Sequence, residues 1–265
     1  MRFPHKAERA LLFPVSIVFR FCAWYNEKNM GGEKMSRAIL TIDDISSKNT
    51  PAIVDYLIDK GITAVMFARG QNVERFYDEA MYAVKKGMIV GNHSYSHDAF
   101  SALTLEEAIE DIEKCEKVLD QLYRDSGVDR KYRPFRFPYG NKGGENKDAI
   151  QKYLRKKGFS KLNDTKIAYP WWRENGLNED IDTFWTFDFE EYRLPWNDGF
   201  TRESVLNKMN NRNPERGAAL YGEGNTHIIL THAHDETDAV WPDYYKEMID
   251  LALENGVVFD KPEFL

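Results

Sequence analysis

From Arg37 to the C-terminus, short apolar runs of strand length alternate with stretches of helical periodicity, and most of those runs end in charged or titratable residues. Ala38–Ile42, Ile62–Ala68, Met88–Gly91, Phe135–Phe137, Phe159–Leu162, Thr183–Phe187, Ile228–Leu230 and Val257–Phe259 read as strands. Helices are predicted between them. Thr50 caps one whose apolar face is Ile53, Val54, Leu57 and Ile58, with Pro51 first and Gly61 past its end. A second spans Val73–Lys86. Thr104 and Glu107 form a capping box before a long helix with the stripe Leu105, Ala108, Ile109, Ile112, Cys115, Leu119 and Leu122. Others are read near Lys147–Lys157, Glu203–Asn210 and Asp243–Glu254. Strands separated by helices pair in parallel through right-handed crossovers. The fold class is therefore α/β, a distorted (β/α) barrel of seven or eight units.

In such a barrel, chemistry gathers where strands end and loops to the following helices begin. The residues there are Asp43 and Asp44, His93 and His97, Arg136 and Tyr139, Asp188, Glu190 and Glu191, and finally His232, His234 and Asp235. An Asp-Asp pair after a strand is ordinarily a turn or a cap, and an Arg such as Arg136 is ordinarily a structural ion-pair partner. The spacing His93-x-x-x-His97 allows two imidazoles to share a metal. Five strand ends that all carry such groups point to one catalytic mouth.

These residues stand in five motifs that resemble those of the polysaccharide deacetylases with the NodB-homology domain, carbohydrate esterase family 4. They read Thr41-Ile42-Asp43-Asp44-Ile45, His93-Ser94-Tyr95-Ser96-His97, Arg136-Phe137-Pro138-Tyr139, Asp188-Phe189-Glu190-Glu191-Tyr192 and Leu230-Thr231-His232. The chain departs from the family pattern at Ile45, where glycine is usual, and at Glu191 and Tyr192, where Asp and Trp are usual. The resemblance implies that Asp44, His93 and His97 bind one divalent metal ion, zinc first and cobalt as an alternative. It implies Asp43 as general base, oriented and kept ionised by Arg136, and His232 as general acid, oriented by Glu191. The backbone N–H of Tyr139 would help hold an oxyanion, and Leu230 and Tyr192 would line the acetyl pocket. The implied substrate is an acetylated oligo- or polysaccharide. Hydrolysis of another carbon–nitrogen bond, such as a small cyclic amide, is the alternative; a non-catalytic carbohydrate-binding relative would lack the base or the acid. His227 and His234 receive no role. Trp171, Trp172 and Trp196 are expected either to stack on sugar rings or to plug the barrel mouth.

The net charge of −7, without a long basic run, argues against nucleic acid or an anionic membrane as partner. Residues 36–265 form the catalytic domain. Residues 1–35 are an N-terminal extension or a signal segment: Arg2, Lys6 and Arg9 precede an apolar run, Ala10–Phe19, that is too short to span a membrane. A signal would place the protein outside the cytoplasm; otherwise it is cytoplasmic. Oligomeric state is not encoded in any pattern found, and the two cysteines, Cys22 and Cys115, make no disulfide framework.

Overall fold

The computed structural model describes residues 35–222 and 224–265. The N-terminal extension and Cys22 lie outside the described residues. No described helix is long and apolar enough to cross a membrane.

In chain order the regular elements are β1 (Ser36–Ile45), α1 (Thr50–Asp59), β2 (Val65–Ala68), α2 (Gly70–Arg75), α3 (Tyr77–Lys85), β3 (Ile89–Asn92), α4 (Leu105–Ser126) and α5 (Lys147–Lys156). They continue with α6 (Pro170–Glu174), β4 (Phe187–Asp188), α7 (Arg202–Asn210), β5 (Thr226–His232), α8 (Asp235–Val240), α9 (Tyr244–Glu254) and β6 (Val257–Phe259). The strands form one parallel sheet in the order β3-β2-β1-β5-β4, with β6 beside the start of β1.

Strand alternation decides what each side chain meets. Ile39 of β1, Val65 and Phe67 of β2, Ile89 of β3 and Ile228 of β5 point inward and pack with Leu162 and Trp172. Leu40, Ile42, Met66, Val90 and Ile229 point outward and pack under the helices. The helix ends behave as their sequence dictates. Thr104 Oγ1 accepts from the Glu107 N–H, the Glu107 carboxylate accepts from the Thr104 N–H at 2.9 Å, and Gly127 closes α4 at φ 71°. Removing such an N-cap costs roughly 1 kcal/mol.

Several predicted elements differ. Phe135–Phe137 is not a strand; it contributes one bridge, Phe135 to Asn92, because Pro134 and Pro138 have no N–H for a ladder. Phe159–Leu162 is reduced to a bridge between Leu162 and Phe264. Thr183–Phe187 shortens to Phe187–Asp188, but the Thr183 N–H still donates to Phe135 O at 2.8 Å and the Thr186 N–H to Ile228 O at 2.9 Å. These irregular segments close the sheet into a distorted barrel. The helix expected over Val73–Lys86 breaks at Phe76, where the Ser46 hydroxyl donates to the carbonyls of Asn72 and Phe76. Asn49, not Thr50, is the cap position of α1, and Ile58 is 40% exposed rather than part of the buried face.

Candidate active site

The three consecutive inward positions of β1 that matter are Ile39, Thr41 and Asp43, so Asp43 reaches the mouth by alternation alone. Asp44 would then point away. It does not, because β1 changes register against β2 between Ile42 and Ile45, and Asp44 adopts a left-handed conformation at φ 63°. This bulge brings both carboxylates to one site. Of the seven non-glycine residues with positive φ among the described residues, Asp44, Ser94, His97, Tyr139 and Glu190 belong to or abut the five motifs. A non-glycine residue in this region costs on the order of 1–3 kcal/mol, and such strain clusters at functional sites.

Asp43 is buried and anchored. Arg136 Nη1 donates to Asp43 Oδ1 at 2.7 Å and to Thr41 Oγ1 at 2.9 Å, while Arg136 Nε donates to Thr183 O at 3.0 Å. The guanidinium lies over the Phe67 ring at 4.4 Å and is fully buried. Its segment comes this close because residue 91 is glycine: a Cβ there would stand 2.6 Å from the Pro134 carbonyl oxygen.

Asp44, His93 and His97 offer three ligand atoms within 4.8 Å of one another. His93 Nδ1 lies 2.8 Å from Arg136 O, a carbonyl that can only accept, so Nδ1 carries the proton and Nε2 presents its lone pair. That Nε2 is 3.4 Å from Asp43 and 3.8 Å from Asp44. His97 Nδ1 meets the Tyr139 hydroxyl at 3.2 Å, and His97 Nε2 faces Asp44 Oδ1 at 3.2 Å. Asp44 Oδ1 is buried and has no hydrogen-bond donor among the described residues. An orphaned carboxylate oxygen ringed by two imidazole lone pairs fits a divalent cation. Burial disfavours the charged form of His97 and brings its pKa down to about 3, which keeps the ring in the ligating neutral state.

Opposite this group stands His232. It pairs directly with Asp43 in the β1–β5 register, so two residues far apart in sequence are neighbours across the sheet. Their side chains diverge: Asp43 toward Arg136, His232 toward Glu191. Glu191 Oε1 accepts from the Thr231 hydroxyl at 2.8 Å, the His232 N–H at 2.6 Å and His232 Nδ1 at 3.2 Å. Burial works against the imidazolium, but the bond to Glu191 and the charges of Glu191, Asp188 and Asp43 outweigh it and push His232 up to about 9. Burial likewise opposes the Glu191 carboxylate, and His232 overcomes it, holding that carboxyl below its ordinary value. Asp188 goes the other way. Burial and the neighbouring Glu191 charge raise it to about 7, against the pull of His232.

Both groups open into one cavity of about 350 Å³. All the predicted site residues converge there except that Arg136 and Glu191 lie just behind its wall. Leu230 and Tyr192 line it, the Tyr192 ring standing edge-on to His232 at 4.6 Å between centroids. Trp196 lines the rim and is 61% exposed. Trp171 and Trp172 do not reach it. Trp172 is buried among the inward-facing strand residues with its indole N–H on Asp164 at 3.0 Å, and Trp171 stacks on Tyr169. His227 is also away from the cavity, against the Thr186 hydroxyl at 3.1 Å.

Four lining residues carried no role in the sequence reading: Arg69, Trp185, Asp188 and His234. His234 Nε2 is 2.7 Å from Asp44 Oδ2. Its only sequence signal is its place two residues past His232. Ile45, where the family has glycine, is fully buried in the core and sits opposite Ala68 in the β1–β2 register.

Residues 31–161 match the sequence profile of the family described as polysaccharide deacetylase. Over that stretch, just under half of its length, the chain is similar to the polysaccharide deacetylase family. A peptidoglycan-N-acetylglucosamine deacetylase of Bacillus cereus is 32% identical to this chain over 111 residues, 42% of this chain and 38% of that relative. The chain thus matches well under half of that relative's length. The structure of peptidoglycan deacetylase PdaC from Bacillus subtilis superimposes with a TM-score of 0.53 at 22% identity, covering 86% of this chain and 87% of that one. A family 4 pseudoenzyme from Bacillus anthracis does so with a TM-score of 0.54 at 19% identity, covering 86% and 64%. At these identities the likeness establishes the deacetylase fold, and a pseudoenzyme sharing it means that activity must be argued from the residues.

Proposed function

We propose that this chain is a metal-dependent hydrolase that removes acetyl groups from N-acetylated sugars. The observation that carries the reading is one cavity in which an Arg-anchored Asp43 and a Glu-anchored His232 flank the Asp44, His93 and His97 donor set. A decayed, non-catalytic relative would be expected to lack one of these two anchored groups. One carboxylate and two imidazoles suit zinc, with cobalt as a substitute.

Three protein ligands leave room for water and substrate, as catalytic sites require. A divalent ion held there supplies Lewis acidity toward a carbonyl oxygen and lowers the pKa of a water. The residues supply the rest. Asp43, fixed by Arg136, takes the proton of the attacking water. The Tyr139 backbone is left-handed at φ 57°, and its N–H would help hold the developing oxyanion. An amide nitrogen leaves poorly unless protonated. With Nδ1 committed to Glu191, His232 delivers that proton from Nε2, the C–N bond breaks, and the products are acetate and the free amine. Leu230 and Tyr192 shape the space for the methyl group.

The test is acetate release. Protein prepared without chelator is expected to carry one divalent ion per chain and to release acetate from chito-oligosaccharides; a chelator should abolish release, and added zinc or cobalt should restore it. The His93→Ala, His97→Ala double variant should lose the ion by elemental analysis. Unchanged metal content in that variant would remove these histidines from the ligand set. An intact, metal-loaded protein inactive on all acetylated glycans but active on cyclic amides would favour the alternative substrate class.

His234 is a positioning residue in this reading. By engaging Asp44 Oδ2 it leaves Oδ1 as the free ligand atom. Loss of such an outer partner typically weakens metal binding about 10–100-fold. His234→Ala should raise the zinc Kd by that factor in a chelator-competition titration, with His234→Gln recovering part of it. An unchanged Kd would show that Asp44 needs no help from His234.

A further inference from the structure

We propose that Asp188, Glu191 and His232 form a second divalent-metal site, which excess zinc fills and which blocks catalysis when filled. The inhibition rests on the deacetylase reading; the binding of the ion does not.

Among the described residues, two sets of three side chains bring ligand atoms within 4.8 Å of one another. One is Asp44, His93 and His97. The other is Asp188, Glu191 and His232, two carboxylates and an imidazole, a donor set that suits a divalent ion. Glu191 carries the mark already seen at Asp44. Its Oε1 accepts from the Thr231 hydroxyl, the His232 N–H and His232 Nδ1, yet its Oε2 is buried with no hydrogen-bond donor among the described residues. The side chain is wholly buried, so bulk water does not satisfy that oxygen.

Asp188 is also under-supplied. Among the described residues it accepts only from the Glu190 N–H, on Oδ1 at 2.8 Å. Burial first, and the Glu191 charge next, push its carboxyl up to about 7 against the pull of His232. One imidazolium does not offset two carboxylates held this close. A dication does, and it is the partner that Glu191 Oε2 lacks. An entry path exists, because Asp188 and His232 both line the catalytic cavity.

Occupancy and amide cleavage exclude each other. A ring nitrogen gives up its proton to bind a metal. With an ion on its ring, His232 is no longer an imidazolium, and the leaving nitrogen loses its proton donor. The site is the weaker of the two, because the ion must displace a proton that Glu191 helps to hold on His232, whereas His93 already presents a lone pair.

The test titrates the full chain with zinc chloride at neutral pH. Calorimetry should show one tight ion and then a second, weaker one. As the second fills, acetate release from a chito-oligosaccharide should fall about 10²-fold or more, the usual loss when a general acid is removed. The ring ¹⁵N signals of His232 should move in that second phase, after those of His93 and His97 have stopped. Asp188→Asn keeps the size of the side chain and removes its charge. It should weaken the second ion at least about tenfold and leave the first in place. Glu191→Gln should do the same, which guards against a local defect peculiar to the first variant. No second ion, a second ion that both variants hold as tightly as wild type, or one that leaves the His232 nitrogens unmoved overturns the proposal. A second ion with those signatures but without effect on acetate release overturns its inhibitory role. If the chain with one ion bound releases no acetate, the deacetylase reading fails, and the calorimetric and NMR arms still decide whether the second site exists.

Discussion

Replacing Asp43 by asparagine is expected to preserve metal content and to lower acetate release by about 10²–10⁴-fold, the usual contribution of a positioned general base. Asparagine has nearly the same shape and can still accept the Arg136 hydrogen bond through its carbonyl oxygen. It cannot take a proton from water. The substitution has a stability cost, because Arg136 is fully buried and Asp43 is its counter-charge. Breaking a buried pair typically costs about 3–5 kcal/mol. Activity should therefore be expressed per folded, metal-loaded molecule, with thermal unfolding measured alongside. A second readout does not depend on turnover. The Asp43 charge is one of the groups that raise His232, so the His232 imidazole should titrate at lower pH by NMR in the variant. Near-normal acetate release from a folded Asp43→Asn protein would remove Asp43 as the base.

His232→Ala is expected to separate two substrates that differ only in their leaving groups. An acetamido sugar must have its nitrogen protonated as it leaves; an aryl acetate departs as the anion. The variant should lose much more rate on the amide, again within about 10²–10⁴-fold, than on the ester. Equal losses would mean that His232 positions substrate rather than donating a proton. The pH dependence carries the same assignment. A general acid acts in its protonated form, and His232 is held up to about 9 by Glu191, Asp188 and Asp43 against the effect of burial. Wild-type amide hydrolysis should therefore persist through neutrality and fall as pH rises through about 9. Glu191→Gln removes the hydrogen-bonded carboxylate, so its alkaline limb should move to lower pH. A limb that stays in place would break the link between Glu191 and His232.

Much of this protein was written in local pattern. Alternation and helical stripes named the strands and helices, Thr104 and Glu107 marked the start of α4, and the charged residues at the ends of apolar runs picked out Asp43, Asp44, His93, His97, Arg136, Glu191 and His232. These signals survive in one dimension because periodicity, capping and strand-end polarity depend on residues a few positions apart. What only the tertiary structure decided depends on register and on close approach between distant segments. The irregular stretches around Phe135 and Thr183 close the barrel although their sequences do not hold regular ladders. The bulge at Asp44 sets two successive carboxylates on one side, against simple alternation. Trp172 goes to the interior while Trp196 takes the rim, although both are tryptophans in connecting segments. His234 finds Asp44 only because of where the end of β5 and the β1 bulge come together. Hydrogen-bond partners and unpaired charges are properties of three-dimensional neighbourhood, and no spacing along the chain records them.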